Sequence, residues 1–347
     1  MKKERVSFNG LKILIFISLT FIISSCNEQK NETNAQSVLL PQSPSFPKEQ
    51  ISQVVRMMIQ DSRGDIWFGG EGGVFRFSNN LLTHIDSIKS SSGRGVTIKD
   101  ITEDNDGTIW IGHTDGVSSV DGEKVTNYYE SDGLISKDVW CVATDKDNQV
   151  WIGTIEGVCK FDGNHFTPFK LPEGVKDTTV GVSSTKMIHN IMEDSRGRIW
   201  FSTNGGIYLK DKNSLTNLSE KDGLHTPFVN EVIETKRGDF LISTSKGLYK
   251  YQKGIITDIT VSLFEETKGT GSIIEDSNGG IWFNCSRSIY CLKNTDLTEY
   301  RISEGNYGPL TFQIYEDQKR RLWFVGYGGA FRLENEEFIN VTKNGPW

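Results

Sequence analysis

The sequence has no long hydrophobic run beyond its first two dozen residues, so no later segment is suited to cross a bilayer as a helix. It has no basic stripe. The net charge is -7 and spread along the chain, which argues against the footprint of a nucleic-acid binder. Histidine is scarce: His84, His113, His165, His189 and His225 are scattered, and no pair has metal-ligand spacing. Asp104-Asn105-Asp106-Gly107 begins like a calcium loop but lacks the later acidic ligands. There is no Gly-x-Ser-x-Gly elbow and no phosphate loop. No unit keeps apolar residues at spacings of three and four over ten positions, so a helical solenoid is not expected. Neither a metal nor a cofactor is expected, and a catalytic site would have to be assembled from scattered residues.

What the chain does have is a repeated phrase. Glu193-Asp194-Ser195-Arg196-Gly197-Arg198-Ile199-Trp200-Phe201 recurs around Trp110 and Trp282, and more loosely around Trp67, Trp151, Leu241 and Trp323. From Trp200 to Leu241, Trp282 and Trp323 each step is 41 residues; the earlier steps are 43, 41 and 49. A fixed period of this size marks stacked supersecondary units.

One unit reads as four strands. Ile188, Ile191 and Met192 belong to strand A, and Asp194 to Gly197 form a turn closed by a left-handed glycine. Ile199-Trp200-Phe201 is strand B, apolar without alternation and so buried on both faces. Thr203 to Gly206 turn again, and strands C and D follow near Ile207–Lys210 and Leu215–Leu218. Four strands in about 41 residues is the size of a propeller blade. The expected fold is all-β: a seven-bladed β-propeller over 53–347, with blades near 53–88, 96–134, 135–172, 185–224, 225–261, 268–305 and 307–347. Blades 1 and 7 are expected to meet without strand exchange. Asn148 and Arg320 stand where the turn glycine is usual, and the turn at Arg320 is expected to be strained or of another type. Register places Cys141 and Cys159, and Cys285 and Cys291, out of disulfide reach, so free buried thiols are expected.

The N-terminus reads as an address. Lys2, Lys3 and Arg5 precede an apolar run from Ile13 to Ile23, as in a secretory signal. Ile23-Ser24-Ser25-Cys26 resembles a bacterial lipoprotein box, which implies lipidation at Cys26. The expected layout is a lipoprotein signal over 1–26, a flexible tether over 27–52, and the propeller. The expected location is the cell envelope, as an outer-membrane-anchored lipoprotein in the periplasm or at the surface, with the membrane as one partner through the lipid.

The phrases Glu193-Asp194-x-x-Gly197-x-Ile199-Trp200 and Gly157-Val158-x-x-Phe161-Asp162-Gly163, with Asp132-Gly133-Leu134 ahead of strand A, resemble the two-component regulator propeller repeat. The resemblance covers 53–347. It implies a periplasmic sensor propeller, commonly placed before a membrane helix and a histidine kinase. The sequence runs to Trp347 just past the seventh strand D, so kinase function is not carried over and a stand-alone lipoprotein form is expected.

Aligned on the turn aspartate, two positions of strand A break the apolar pattern. One ring reads Arg56, Lys99, Trp140, His189, Asn230, Gly271, Phe312; the next reads Met57, Asp100, Cys141, Asn190, Glu231, Ser272, Gln313. If strand A lines the channel, these rings form its mouth. The candidate binding residues are Arg56, Lys99, Asp100, Trp140, His189, Asn190 and Glu231, with Trp140 as stacking platform and the two cations beside it. They favour an anionic or polar guest, unless Asp100 and Glu231 neutralise the cations. The functional expectation is a non-catalytic binding, sensing or scaffold module in envelope signalling or ligand capture, with a glycan, peptide or protein partner at the loop face. The alternative is a propeller-type lyase or hydrolase, which would require His113, His189 or His225 to meet a carboxylate at the mouth.

Overall fold

In the computed structural model, residues 49–219, 223–264, 268–301 and 309–347 are described. The signal sequence, Cys26 and most of the tether lie outside them. The described residues form seven four-stranded antiparallel sheets, each built from consecutive strands. The strands A pack side by side in a closed ring, the seventh against the first. This is the seven-bladed β-propeller.

The fourth blade shows why these residues make a blade. Strand A spans Ile188–Glu193, B Ile199–Thr203, C Gly206–Asp211 and D Ser214–Asn217. Strand B is buried along its whole length, as its unbroken apolar run predicts. Its Trp200 packs with Leu209 of its own blade and with Val232 and Phe240 of the next. The Trp200 and Phe240 rings stack with centroids 4.4 Å apart. The core is thus a set of apolar layers between blades rather than one central mass.

The repeated aspartate and tryptophan are one device. Asp194 Oδ1 accepts the turn N–H groups of Arg196 and Arg198 at 3.0 Å each, and Oδ2 accepts the Trp200 indole N–H at 2.9 Å. The same indole bond recurs at Asp61–Trp67, Asp104–Trp110, Asp145–Trp151, Asp276–Trp282 and Asp317–Trp323. A buried indole donor needs an acceptor, and the turn aspartate has an oxygen to spare. Blade 5 has lost both partners together, as Thr235 and Leu241. The Arg320 turn closes like the others, Arg320 N donating to Asp317 O, with φ 61°. It is the same turn with a side chain in the left-handed region.

The glutamate before the turn aspartate ties blade to blade. Ser62, Ser195 and Ser277 each donate backbone N–H and hydroxyl to Glu103, Glu234 and Glu316 of the following blade. Lys146 and Lys236 donate their N–H groups to Glu193 and Glu275. The third blade has Thr144 in this column, and Asn148 Oδ1 accepts from Asn105 N instead. Gln318 N donates to Gln60 Oε1, which closes the ring.

Blades 1 and 7 keep their own four strands, and no strand is exchanged among the described residues. Residues 49–52 nonetheless belong to the ring and not to a tether. Ile51 N donates to Thr342 O at 3.0 Å, Gln50 bridges Lys343, and Ile51 is fully buried against the first and seventh blades. The four described cysteines are buried and form no disulfide with one another; Cys285 lies opposite Ser288 and Cys291 opposite Trp282 in the strand register, as expected.

Candidate functional site

In all seven blades the pairing of strand A with strand B slips at the same place. In the fourth blade Ile188 faces Thr203 and Asn190 faces Ser202, which leaves His189 as the extra residue. A bulge breaks strict alternation and re-aims a side chain. Two successive positions of strand A therefore serve the channel. All seven predicted residues, Arg56, Lys99, Asp100, Trp140, His189, Asn190 and Glu231, line one cavity of about 620 Å³. Of the two rings, only Cys141 turns away; it is buried against Ile188 of the next blade.

The two cations are already engaged. Lys99 Nζ forms an ion pair with Asp138 and lies 3.6 Å from the centroid of the Trp140 ring. Burial holds the Lys99 ammonium below its usual pKa, against the opposing pull of Asp138. Asp138 also accepts the Trp140 indole N–H at 3.0 Å. Trp140 is half-buried, so it is a wall of the cavity rather than core, and one of its faces carries Lys99. Arg56 stacks over Phe312 at 4.8 Å and reaches Glu71 at 3.9 Å.

Asp100 and Glu231 do not neutralise these cations. They tie strands A together: Asp100 Oδ2 accepts Val142 N at 2.9 Å and Glu231 Oε2 accepts Ile273 N at 3.1 Å. Gln313 and Ser272 do the same for Met58 and Ile314. Strand A is an inner edge with no further strand to pair, so side chains of the preceding blade take its N–H groups. Desolvation pushes both carboxyls up to about 7, and the charge of Asp100 adds to the rise at Glu231.

His189 Nε2 lies 2.5 Å from Asn204 Oδ1, while Asn204 Nδ2 donates to Ser184 O at 2.8 Å. That network assigns the proton to Nε2 and leaves the lone pair on Nδ1. Burial lowers the His189 pKa below its usual value, against the opposing pull of the Asn204 bond.

Two lining or supporting residues were missed in the sequence. Asn284, on strand B of blade 6, lines the cavity where Gly271 has no side chain; a Cβ on Gly271 would lie 2.7 Å from Asn284 Oδ1. The signal was a compensating pair: the only glycine of its ring faces the only amide in a column otherwise read Gly69, Gly112, Gly153, Ser202, Ser243, Val325. Blade 6 therefore offers a contact and not merely space. Asp138 stood out less, as the one charged residue just before any strand A.

The other histidines do not build a catalytic mouth. His113 is fully buried, its Nε2 3.0 Å from Ser118 Oγ, and burial lowers its pKa to about 4. The Ser118 hydroxyl is committed to Asn127 Oδ1 at 2.6 Å, so this serine–histidine pair is structural. His225 approaches Asp258 at 3.5 Å, outside the cavity lining. Within the cavity, the partner of His189 is an amide and not a carboxylate. Among the described residues no cluster of His, Cys, Asp or Glu is placed to hold a metal ion.

The two component regulator propeller family matches residues 49–72, 92–115, 133–156 and 181–205. Among solved structures, the extracellular domain of a hybrid two component system from B. thetaiotaomicron superposes with a TM-score of 0.62 at 21% identity, over 82% of this chain and 39% of that one. The extracellular domain of a one component system from the same organism gives 0.56 at 18%, over 83% and 48%. This chain thus spans less than half of either. A virginiamycin B lyase from Staphylococcus aureus gives 0.54 at 18%, over 70% and 83%. At these identities the likeness is one of fold. No curated protein sequence matches the chain. Four of the repeats thus carry the two component regulator propeller signature, and the seven sheets make the chain a seven-bladed β-propeller.

Proposed function

We propose that the propeller is a non-catalytic binding and sensing module of the cell envelope, anchored through a lipid on Cys26, with its ligand seat in the channel-mouth cavity. One observation carries the reading of the seat. Arg56 Nε, Asn190 Oδ1 and Asn284 Oδ1 are buried without a hydrogen-bond partner among the described residues, and all three belong to the lining of this one cavity. Orphaned buried polar atoms are uncommon, and their convergence in a single space suits a guest that supplies the missing bonds. The resemblance to extracellular sensor domains supports the envelope location and the sensing role.

The lyase or hydrolase reading draws support only from fold likeness. The partner that orients His189 in the cavity is the Asn204 amide and not a carboxylate, so the condition set for the enzyme reading is not met there. The test is a thermal-shift screen of the protein against glycans, peptides and metal ions. A ligand of the native state raises the midpoint by mass action. A hit whose effect disappears in Asn284→Ala supports the seat; a hit that is turned over chemically supports the enzyme instead. For the anchor, Cys26→Ala should abolish labelling of cells by a palmitate analogue, and unchanged labelling would dismiss it.

A further inference from the structure

We propose that the cavity seats a primary ammonium group, so that its guest is a small amine-bearing molecule rather than an anion. This rests on the cavity being a ligand seat and names what sits there.

The positive charge that would attract an anion is spent. Lys99 is paired with Asp138 and pressed against Trp140, and Arg56 is shared between Phe312 and Glu71. What remains unused is mostly acceptor. Asn190 Oδ1 and Asn284 Oδ1 come from blades 4 and 6 and lack partners. Asp100 and Glu231 come from blades 2 and 5; the backbone N–H groups bonded to their oxygens, with the Ser272 hydroxyl at Glu231, leave further lone pairs open. The His189 network leaves Nδ1 as an acceptor too. An ammonium group presents three donors and no acceptor, which is the complement of this wall. The single orphaned donor, Arg56 Nε, suits a carbonyl or hydroxyl elsewhere on the same guest.

The titratable groups lining the cavity are Arg56, Lys99, Asp100, His189, Glu193 and Glu231, with Cys141 behind Asp100. Of these, Asp100 and Glu231 change charge near neutrality. A bound ammonium favours their ionised forms, so binding releases protons and strengthens as pH rises. Two sources of the group are a free diamine and the amino terminus of a short peptide.

Isothermal titration of the protein with putrescine and with triglycine, at pH 6, 7 and 8, tests the assignment. At least one should bind more tightly at pH 8 than at pH 6, about tenfold for putrescine and about fivefold for triglycine, whose own amino group is half deprotonated at pH 8, and its fully N-acetylated counterpart (both amines blocked in putrescine) should not bind. Heats in buffers of different ionisation enthalpy should show proton release. Glu231→Gln should weaken binding about tenfold and flatten the pH dependence, and Asn284→Ala should weaken it at every pH. Equal binding of acetylated and free forms, or full affinity in both variants, would overturn the assignment. If succinate or another anion raises the melting temperature and neither amine does, the cavity remains a ligand seat and the ammonium assignment fails. Silence of the amines and of the broad screen together removes both.

Discussion

Replacing Glu231 by Gln separates charge from burial at the channel wall. The Gln keeps an oxygen for Ile273 N–H and nearly the same volume, but it cannot ionise. In the folded protein the Glu231 carboxyl is raised from 4.5 to about 7, first by desolvation and further by Asp100. Below about pH 4.5 it is neutral in both states. As pH climbs toward 7 the unfolded chain ionises freely while the fold retains the proton, so the folded state loses stability over that window and no more above it. A displacement of this size corresponds to on the order of 3 kcal/mol, and the solvent-filled channel beside the group reduces what is realised. The expectation is a variant within about 1 kcal/mol of wild type at pH 5 and about 1–3 kcal/mol more stable at pH 8. Urea denaturation followed by tryptophan fluorescence at both pH values reads it directly. A variant equally or less stable at pH 8 would mean that Glu231 is ionised at little cost, and the account of the channel wall would fall with it.

Arg320→Gly should stabilise the protein by about 0.5–1 kcal/mol, since it relieves a side chain at φ 61° in an otherwise unchanged turn; calorimetry checks the sign. Asp194→Ala should cost about 3–5 kcal/mol, because it orphans the Trp200 indole, two turn N–H groups and Arg198. The double change Asp194→Thr with Trp200→Leu, which copies blade 5, should cost less than the two single changes added, by about 1–3 kcal/mol in a double-mutant cycle. Cys141, Cys159, Cys285 and Cys291 should react with a thiol reagent only on unfolding; prompt reaction in the native protein would contradict their burial.

The fold was legible because its determinants are local and repeated. The turn aspartate, the left-handed residue and the apolar strand B lie within nine residues and recur seven times in full or altered form. The mouth was legible for a different reason: two adjacent diverse positions broke an apolar pattern, and the bulge is their physical cause. What could not be read was the partner of each group. Asp138 lies 39 residues from Lys99 and in the next blade, so ring packing joins them; Glu71 meets Arg56 through the pairing of strands A and B within the first blade. The roles of Asp100 and Glu231 were hidden similarly, because their partners are backbone N–H groups and carry no signature in side-chain identity.

Six of the seven interblade ties run from the residue after the turn position to the residue before it in the next blade; Asn105 to Asn148 departs from these columns, and the last tie, Gln318 to Gln60, keeps them with an amide acceptor. The seam between blades 7 and 1 therefore carries the tie that joins the other blades, and residues 49–51 add to it the bonds to Thr342 and Lys343 that mark the first blade. A chain permuted to begin at another turn would keep the interblade tie at its new seam and lose the extra bonds that residues 49–51 make at the present one.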